Sequence, residues 1–287
     1  RATRTTSPTR FAGRPEGLRP SLRSAPVPGH VHVVKEAPIG WIVFDHPERR
    51  NALSVSMWEA MPAAAATLAG DPDIRVVVLR GAGEVAFVSG ADISPFGQSR
   101  SVADGPGSYE ALKDRAFRAF SDLEKPFLAM IHGYCIGGGL AVALCADLRI
   151  AADDALLGIP AARLGLGYGA EGIAKLAALV GPSRAKEILF TARRFPAAEA
   201  LRMGLLNQVF AKAELESRVR ETAIEIAGNA PLTLRSVKQV IRSLADEPAQ
   251  RDHGAIEAAI RACYESADYQ EGVRAFLEKR PPRFRGE

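Results

Sequence analysis

The spacing of apolar and polar residues predicts a regular start to the folded chain. Residues 31–45, VHVVKEAPIGWIVFD, read as two strands joined at Pro38-Ile39-Gly40, which is typical of a hairpin. Ser54 has the residue type of a helix N-cap, and Gly70-Asp71-Pro72 would end that helix after about Ala69. The β-branched run Ile74–Leu79 then predicts a buried strand.

The pattern alternates between strand and helix until about residue 171 and is mainly helical afterwards. It predicts short strands at 86–89, 127–132, 147–151 and 155–159, and helices at about 109–123 and 138–146. A last strand is expected near 207–210. These elements predict an α/β core over 30–210 and a helical region for oligomerisation or a lid over 211–287.

Composition and charge place the basic character in one terminal segment. The net charge is +4, but residues 1–29 hold six arginines and one glutamate, so the remaining residues carry a net −1. The segment is rich in Pro, Ser and Gly, and we expect it to be a disordered basic tail. A near-neutral body argues against a nucleic-acid partner, and no apolar run is long enough for a membrane span.

Three cysteines without a C-x-x-C pair favour free thiols in a reducing compartment. We therefore expect a cytoplasmic protein, or a mitochondrial one if residues 1–29 act as a transit segment.

Several common sites do not fit this sequence. The glycine clusters at 81–86 and 165–170 lack the strand–turn–helix context of a dinucleotide fingerprint. The five histidines have no metal-ligand spacing, so we expect no metal.

The glycine triplet 137–139 is more informative, because it joins a predicted buried strand to a helix of small residues. Glycines let a ligand approach the backbone, and a helix N-terminus presents unpaired N–H groups. The triplet therefore fits either an oxyanion site or a tight packing turn. A second turn of small residues, FVSGADI at 87–93, favours the oxyanion site.

Together with HPERRNAL at 46–53, KPFLAMIHGYCIGGGLAVALCADLRIA at 125–151, GLLNQVF at 204–210 and FLEKR at 276–280, these motifs resemble the crotonase (enoyl-CoA hydratase/isomerase) superfamily. The resemblance covers about 31–285 and implies a crotonase-type ββα-spiral core. It also implies an acyl-CoA thioester substrate, with coenzyme A as part of the substrate and no separate cofactor. A homotrimer or a dimer of trimers is expected.

The resemblance also implies site residues. The backbone N–H groups of Ala91 and Gly138 match the oxyanion hole that stabilises a thioester enolate. Positions that approach the CoA thioester in the family match Arg49, Ala52, Gly90, Asp92, Ile93, Phe276 and Lys279.

Two departures from the family pattern change the expected chemistry. Hydratases of the family use two glutamates, which correspond here to Ala141 and Ala161. A methyl group cannot transfer a proton, and loss of a positioned acid or base costs about 10²–10⁴ in rate. The two alanines leave an apolar wall in the acyl pocket.

Other motifs are most similar to the methylmalonyl-CoA decarboxylase branch: LGLGY at 164–168, EILFTA at 187–192 and DYQEGVRAFLEKR at 268–280. In that branch a tyrosine matching Tyr168 lies near the reacting group, although the branch has a histidine where this chain has Ala91 and a glutamate where it has Ala141. Decarboxylation of a small malonyl-type CoA needs a stabilised enolate and no general base, so it is the specific expectation. Tyr168 would donate a hydrogen bond or a proton; a packing role is the alternative.

Glu171 offers a rival mechanism, because it lies near the start of a predicted helix on the same segment. As a single base it would support an enoyl-CoA isomerase or hydratase; as a partner of the helix dipole it would be structural. A third alternative is a catalytically silent acyl-CoA-binding protein.

Overall fold

The computed structural model describes residues 29–92, 108–245 and 248–287. Its larger sheet has the strand order β1-β2-β3-β5-β7-β10. The strands are β1 (His30–Glu36), β2 (Ile39–Asp45), β3 (Val76–Gly81), β5 (Phe127–Ile131), β7 (Leu148–Ala152) and β10 (Gln208–Phe210). Only β1 and β2 pair antiparallel in this sheet; each later pair is parallel.

A smaller sheet of four short strands lies beside the first and has the order β4-β6-β8-β9. Its strands are β4 (Ala86–Val88), β6 (Tyr134–Ile136), β8 (Leu156–Gly158) and β9 (Phe195–Pro196). The first three pair in parallel, so their carboxyl ends meet at one edge. A cavity lies at that edge.

Nine α-helices surround the two sheets in the described part of the chain: α1 (Val55–Ala69), α2 (Tyr109–Ser121), α3 (Gly138–Ala143), α4 (Ala170–Thr191), α5 (Ala197–Arg202), α6 (Leu215–Ala227), α7 (Pro231–Leu244), α8 (His253–Glu265) and α9 (Ala267–Leu277). Gly181 breaks the helical backbone inside α4 with φ 77° and is followed by Pro182, so α4 is kinked there.

Apolar side chains are buried on both faces of the larger sheet, as parallel strands require. One face packs against α1 and α2 through residues such as Trp58, Met61 and Phe120. The other face is covered by α6, whose Leu215 and Val219 are buried against it. The helical C-terminal region thus begins with a helix that belongs to the packed core.

The expected α/β architecture with a helical C-terminal part is confirmed. The hairpin forms with Val34 opposite Trp41, and the Ser54 hydroxyl accepts a hydrogen bond from the Met57 N–H at the start of α1. Two short strands, β6 and β9, were absent from the predicted pattern. The helix predicted over 138–146 is shorter and ends at Ala143.

Candidate active site

A cavity of about 800 Å³ lies at the carboxyl edge of the smaller sheet. Its walls come from the segment after β4, the start of α3, the loop before α4 and one face of α2. Ten of the residues expected in a site line it: Arg49, Ala52, Gly90, Ala91, Asp92, Gly138, Ala141, Ala161, Tyr168 and Glu171.

The backbones of Ala91 and Gly138 come together at this cavity. A Cβ built on Gly138 would lie 3.4 Å from the Ala91 nitrogen. Neither N–H group donates a hydrogen bond to any residue in the described part of the chain. Two such free donors side by side at a cavity wall form the geometry that an oxyanion requires.

Local backbone structure holds this pair in place. The Leu53 N–H donates to the Gly90 carbonyl at 2.8 Å, and the Asp92 N–H donates to the Leu53 carbonyl at 2.9 Å, so Ala91 is fixed from both sides. Gly137 has φ 55° and ψ −113°, a conformation suited to glycine, and its N–H donates to the Gly158 carbonyl at 2.8 Å. This turn directs the N-terminus of α3 at the cavity.

Gly139 has a packing role, unlike its neighbour Gly138. A Cβ at Gly139 would overlap the Val88 carbonyl oxygen, so α3 packs directly on the end of β4. The packing turn is therefore present at the glycine triplet, and the oxyanion role stays a prediction. One glycine permits close packing, and another leaves a free N–H at the cavity.

The two alanines face the same cavity from different elements. Ala141 lies in the first turn of α3, where its N–H donates to the Gly137 carbonyl at 3.0 Å. Ala161 follows Pro160 in a short 3-10 helix, Pro160–Leu164. The cavity that contains the Ala91 and Gly138 N–H groups therefore has methyl groups at these two positions.

Tyr168 lines the same cavity and packs against the larger hydrophobic core. Its hydroxyl is buried and has no hydrogen-bond partner among the described residues. Burial raises the pKa of the Tyr168 phenol well above its usual range, with a smaller contribution from Cys145. The side chain is therefore a protonated, unpaired donor at neutral pH.

Glu171 lines the cavity mouth and is already paired. Its Oε1 lies 3.0 Å from Lys175 Nζ, one turn later in α4, and 63% of its side chain is exposed. Lys175 also donates to Ser121 Oγ at 2.7 Å. A solvated, ion-paired carboxylate in the first turn of a helix is well explained by local electrostatics.

Comparison with known proteins agrees with this architecture. The sequence pattern described as enoyl-CoA hydratase/isomerase matches residues 34–287. A carnitinyl-CoA dehydratase from Salmonella typhi is 33% identical over 262 residues, which are 89% of this chain and 98% of that protein. The chain belongs to the enoyl-CoA hydratase/isomerase family. Enzymes of this crotonase family act on CoA thioesters.

Solved structures of the family superpose closely on this member. An enoyl-CoA hydratase/isomerase family protein from Hyphomonas neptunium has a TM-score of 0.84 and 37% identity, covering 88% of this chain and 97% of its own. An enoyl-CoA hydratase/carnithine racemase from Magnetospirillum magneticum has a TM-score of 0.83 and 34% identity, covering 90% and 96%.

Two residues expected at the site, Phe276 and Lys279, do not line the cavity of this family member. A third, Ile93, lies outside the described residues. Phe276 is 84% exposed near the end of α9, and Lys279 follows that helix. Since Phe276 and Lys279 do not line the cavity of their own chain, their expected contact with CoA stays a prediction, and a second copy is one way to supply it.

The cavity also contains residues that sequence reasoning missed. Trp58 of α1 and Tyr109, Lys113 and Phe117 of α2 line it. In the sequence they look like ordinary positions of amphipathic helices, and only tertiary packing turns them toward the site. The aromatic residues in this set were the available signal, because aromatic side chains often line ligand cavities.

The described residues contain no group of three or more His, Cys, Asp or Glu side chains arranged to hold a metal ion. None of the helices in the described ranges has the length and apolarity of a membrane-spanning helix.

Proposed function

We propose that this family member decarboxylates a small malonyl-type acyl-CoA through a thioester enolate. The observation that carries the proposal is the pairing of two free N–H groups, on Ala91 and Gly138, with methyl groups at 141 and 161. The cavity keeps the means to stabilise an enolate and lacks the two carboxylates that a hydratase uses to move water.

The step requires no general base. The bond between the α-carbon and the carboxylate breaks, CO₂ leaves, and its electron pair passes into the thioester to give an enolate. The enolate oxygen accepts hydrogen bonds from Ala91 and Gly138; each donor is worth about 3 kcal/mol by comparison with single oxyanion donors. A proton then adds to the α-carbon.

An apolar wall favours the loss of CO₂. In the transition state the negative charge of the carboxylate is spread onto the thioester. Poor solvation of the carboxylate therefore raises the energy of the bound substrate more than that of the transition state. Methyl groups at 141 and 161 provide such surroundings. Glutamates at these positions would repel the substrate's carboxylate.

Tyr168 is our proposed proton donor to the α-carbon. Its phenol stays protonated at neutral pH because burial raises its pKa, and it lacks a partner in the described chain. Leaving a buried donor unpaired costs about 1–3 kcal/mol, which a bound acceptor would recover. The solvent would then return the proton to Tyr168.

A second candidate is hydration or dehydration of a short enoyl-CoA with Glu171 as the acid or base. It is supported by the relatives named carnitinyl-CoA dehydratase and by the position of Glu171 on the cavity wall. Against it stands the ion pair of Glu171 with Lys175, which must open before the carboxylate reaches the cavity interior.

We also propose a homo-oligomer, a trimer or a dimer of trimers as in the family. Exposed apolar residues at the C-terminal end, Phe276 and Leu277 on α9 and Ile241 on α7, supply surface that a second copy would cover. Such contact would also bring Phe276 to a neighbouring subunit.

A matched pair of variants tests the proposed roles of Tyr168 and Glu171. Tyr168→Phe should lower CO₂ release from methylmalonyl-CoA by about 10²-fold or more, because the proton donor is lost while the ring is kept. Glu171→Gln should leave that rate within about threefold, because a partly exposed ion pair contributes little. Both rates are followed by mass spectrometry of the thioesters. The reverse pattern, with activity lost in Glu171→Gln, would favour the second candidate.

A further inference from the structure

The indole N–H of Trp58 is an unexplained buried donor. Trp58 lies in the first turns of α1 and is 1% exposed, and its Nε1 has no hydrogen-bond partner among the described residues. Tryptophan can only donate, and buried indole N–H groups normally find an acceptor. The missing partner must therefore be an acceptor.

The indole edge that carries the N–H lies beside Gly138, which with Ala91 forms the proposed oxyanion pair. Cζ2 of Trp58 would be 3.7 Å from a Cβ built on Gly138, and that Cβ would be 3.4 Å from the Ala91 nitrogen. Nε1 and Cζ2 are bonded to the same ring carbon, so the N–H belongs to the indole edge that faces Gly138. Trp58 also lines the cavity.

Neighbouring rings fix the orientation of this indole. Phe117 packs edge-to-face at 5.5 Å between ring centroids with an interplanar angle of 72°, and Tyr109 does so at 6.5 Å and 86°. The indole is thus held between α1, α2 and the start of α3. A donor that is already oriented loses little conformational entropy when it binds a ligand.

We propose that the Trp58 N–H binds the carboxylate of a malonyl-type acyl group and so selects acidic acyl-CoA thioesters. The inference rests on the proposed function, because the oxyanion pair occupies the thioester oxygen and the next acceptor along a malonyl group is its carboxylate. Trp58 is on this account a specificity-determining residue that orients the carboxylate.

A neutral donor suits this role better than a cation. A lysine or arginine would stabilise the carboxylate strongly and oppose its conversion to uncharged CO₂. Two lysines that line the cavity, Lys113 and Lys175, are paired with Glu110 and Glu171. A single indole N–H can orient the carboxylate and leave its negative charge largely uncompensated.

Binding of two CoA thioesters to the full chain tests the proposal. The probes are 2-sulfopropionyl-CoA, whose sulfonate replaces the carboxylate and cannot leave as CO₂, and propionyl-CoA, which lacks it. Trp58→Phe should weaken binding of the sulfonate by about 10-fold or more and change the Kd of propionyl-CoA by less than about threefold. Trp41→Phe is the control, because Trp41 is equally buried but donates to Glu36 at 3.1 Å away from the cavity.

Trp41→Phe also provides a measurement that leaves Trp58 intact. The chain has two tryptophans, so this variant carries Trp58 as its single indole fluorophore. A hydrogen bond from Nε1 should shift the Trp58 emission to longer wavelength on addition of 2-sulfopropionyl-CoA, with a smaller shift for propionyl-CoA. This readout holds even if Trp58→Phe folds poorly.

Equal weakening of both thioesters in Trp58→Phe, or no weakening of either, would overturn the proposal, as would identical emission shifts. The outcome is separable from the proposed function, because neither probe undergoes decarboxylation. If Trp58 selects the sulfonate but methylmalonyl-CoA releases no CO₂, only the proposed function fails. If CO₂ is released and binding does not depend on Trp58, only this inference fails.

Discussion

At the scale of single residues, the proposed chemistry depends on two alanines that stand where hydratases of the family have proton-transferring glutamates. Ala141 and Ala161 line the cavity beside the free N–H groups of Ala91 and Gly138. On the proposal above, the two methyl groups stand in place of the carboxylates of family hydratases, while the two N–H groups stabilise an enolate. The proposed chemistry is therefore one in which the electrons come from the substrate itself.

Gly138 provides a direct test of enolate stabilisation. In Gly138→Ala the new methyl group would lie 3.4 Å from the Ala91 nitrogen and 3.7 Å from Trp58, so the fold accepts it while the methyl group takes up space beside the Ala91 N–H. Turnover should fall by about 10²-fold or more, measured as the rate of thioester conversion. The melting temperature should not fall, since alanine is a better helix former than glycine and the added methyl group makes only ordinary contacts.

The control for this variant is Gly70→Ala at the end of α1. Its added methyl group would meet only the Ala66 carbonyl oxygen at 3.5 Å, and Gly70 lies outside the cavity. Turnover there should match the wild type. Full activity in Gly138→Ala would exclude this pair of N–H groups as the oxyanion site.

At the scale of elements, local signals were sufficient for some parts of the fold and insufficient for others. The β1–β2 hairpin and α1 were predicted because their signals are local. Pro38 marks the turn, Ser54 caps the start of α1, and Gly70 marks its end. β6 was missed because three residues between Gly133 and Gly137 form a strand only through pairing with β4 and β8. The position of Phe117 of α2 at the cavity is likewise a tertiary effect.

The junction between β5 and β6 predicts a dependence of stability on pH. His132 is 4% exposed, and its Nε2 has no hydrogen-bond partner within the described ranges. Burial lowers the pKa of His132 from 6.5 to about 4, with smaller contributions from Arg80 and Lys212. The unfolded chain therefore binds a proton that the folded chain does not bind between pH 6.5 and 4.

The free energy of unfolding should consequently fall as the pH is lowered through this range, by about 3 kcal/mol from His132. Urea unfolding at several pH values measures the slope. His132→Met should flatten the slope between pH 6.5 and 4, whereas His30→Gln on the exposed β1 strand should not. An unchanged slope in His132→Met would show that other groups account for the dependence.

At the scale of the whole molecule, the family could be predicted from ordered sequence motifs. Two of those motifs bring the backbone at 89–92 and 137–138 to the wall of one cavity. The sequence did not give the shape of the cavity or its donors. Trp58 is a candidate ligand-binding donor only because α1, α2 and α3 meet around it, which is a tertiary arrangement. The expected CoA contacts of Phe276 and Lys279 depend on how copies of the chain assemble.

The central claim is that this cavity generates an enolate by losing CO₂ rather than by adding water. The most direct measurement is incubation of the purified full chain with methylmalonyl-CoA and, separately, with crotonyl-CoA, followed by mass spectrometry of the thioesters. The account predicts conversion of methylmalonyl-CoA to propionyl-CoA and no addition of water to crotonyl-CoA. Hydration of crotonyl-CoA without loss of CO₂ from methylmalonyl-CoA would contradict it and favour Glu171, and no conversion of either thioester would contradict it in favour of a silent acyl-CoA-binding protein.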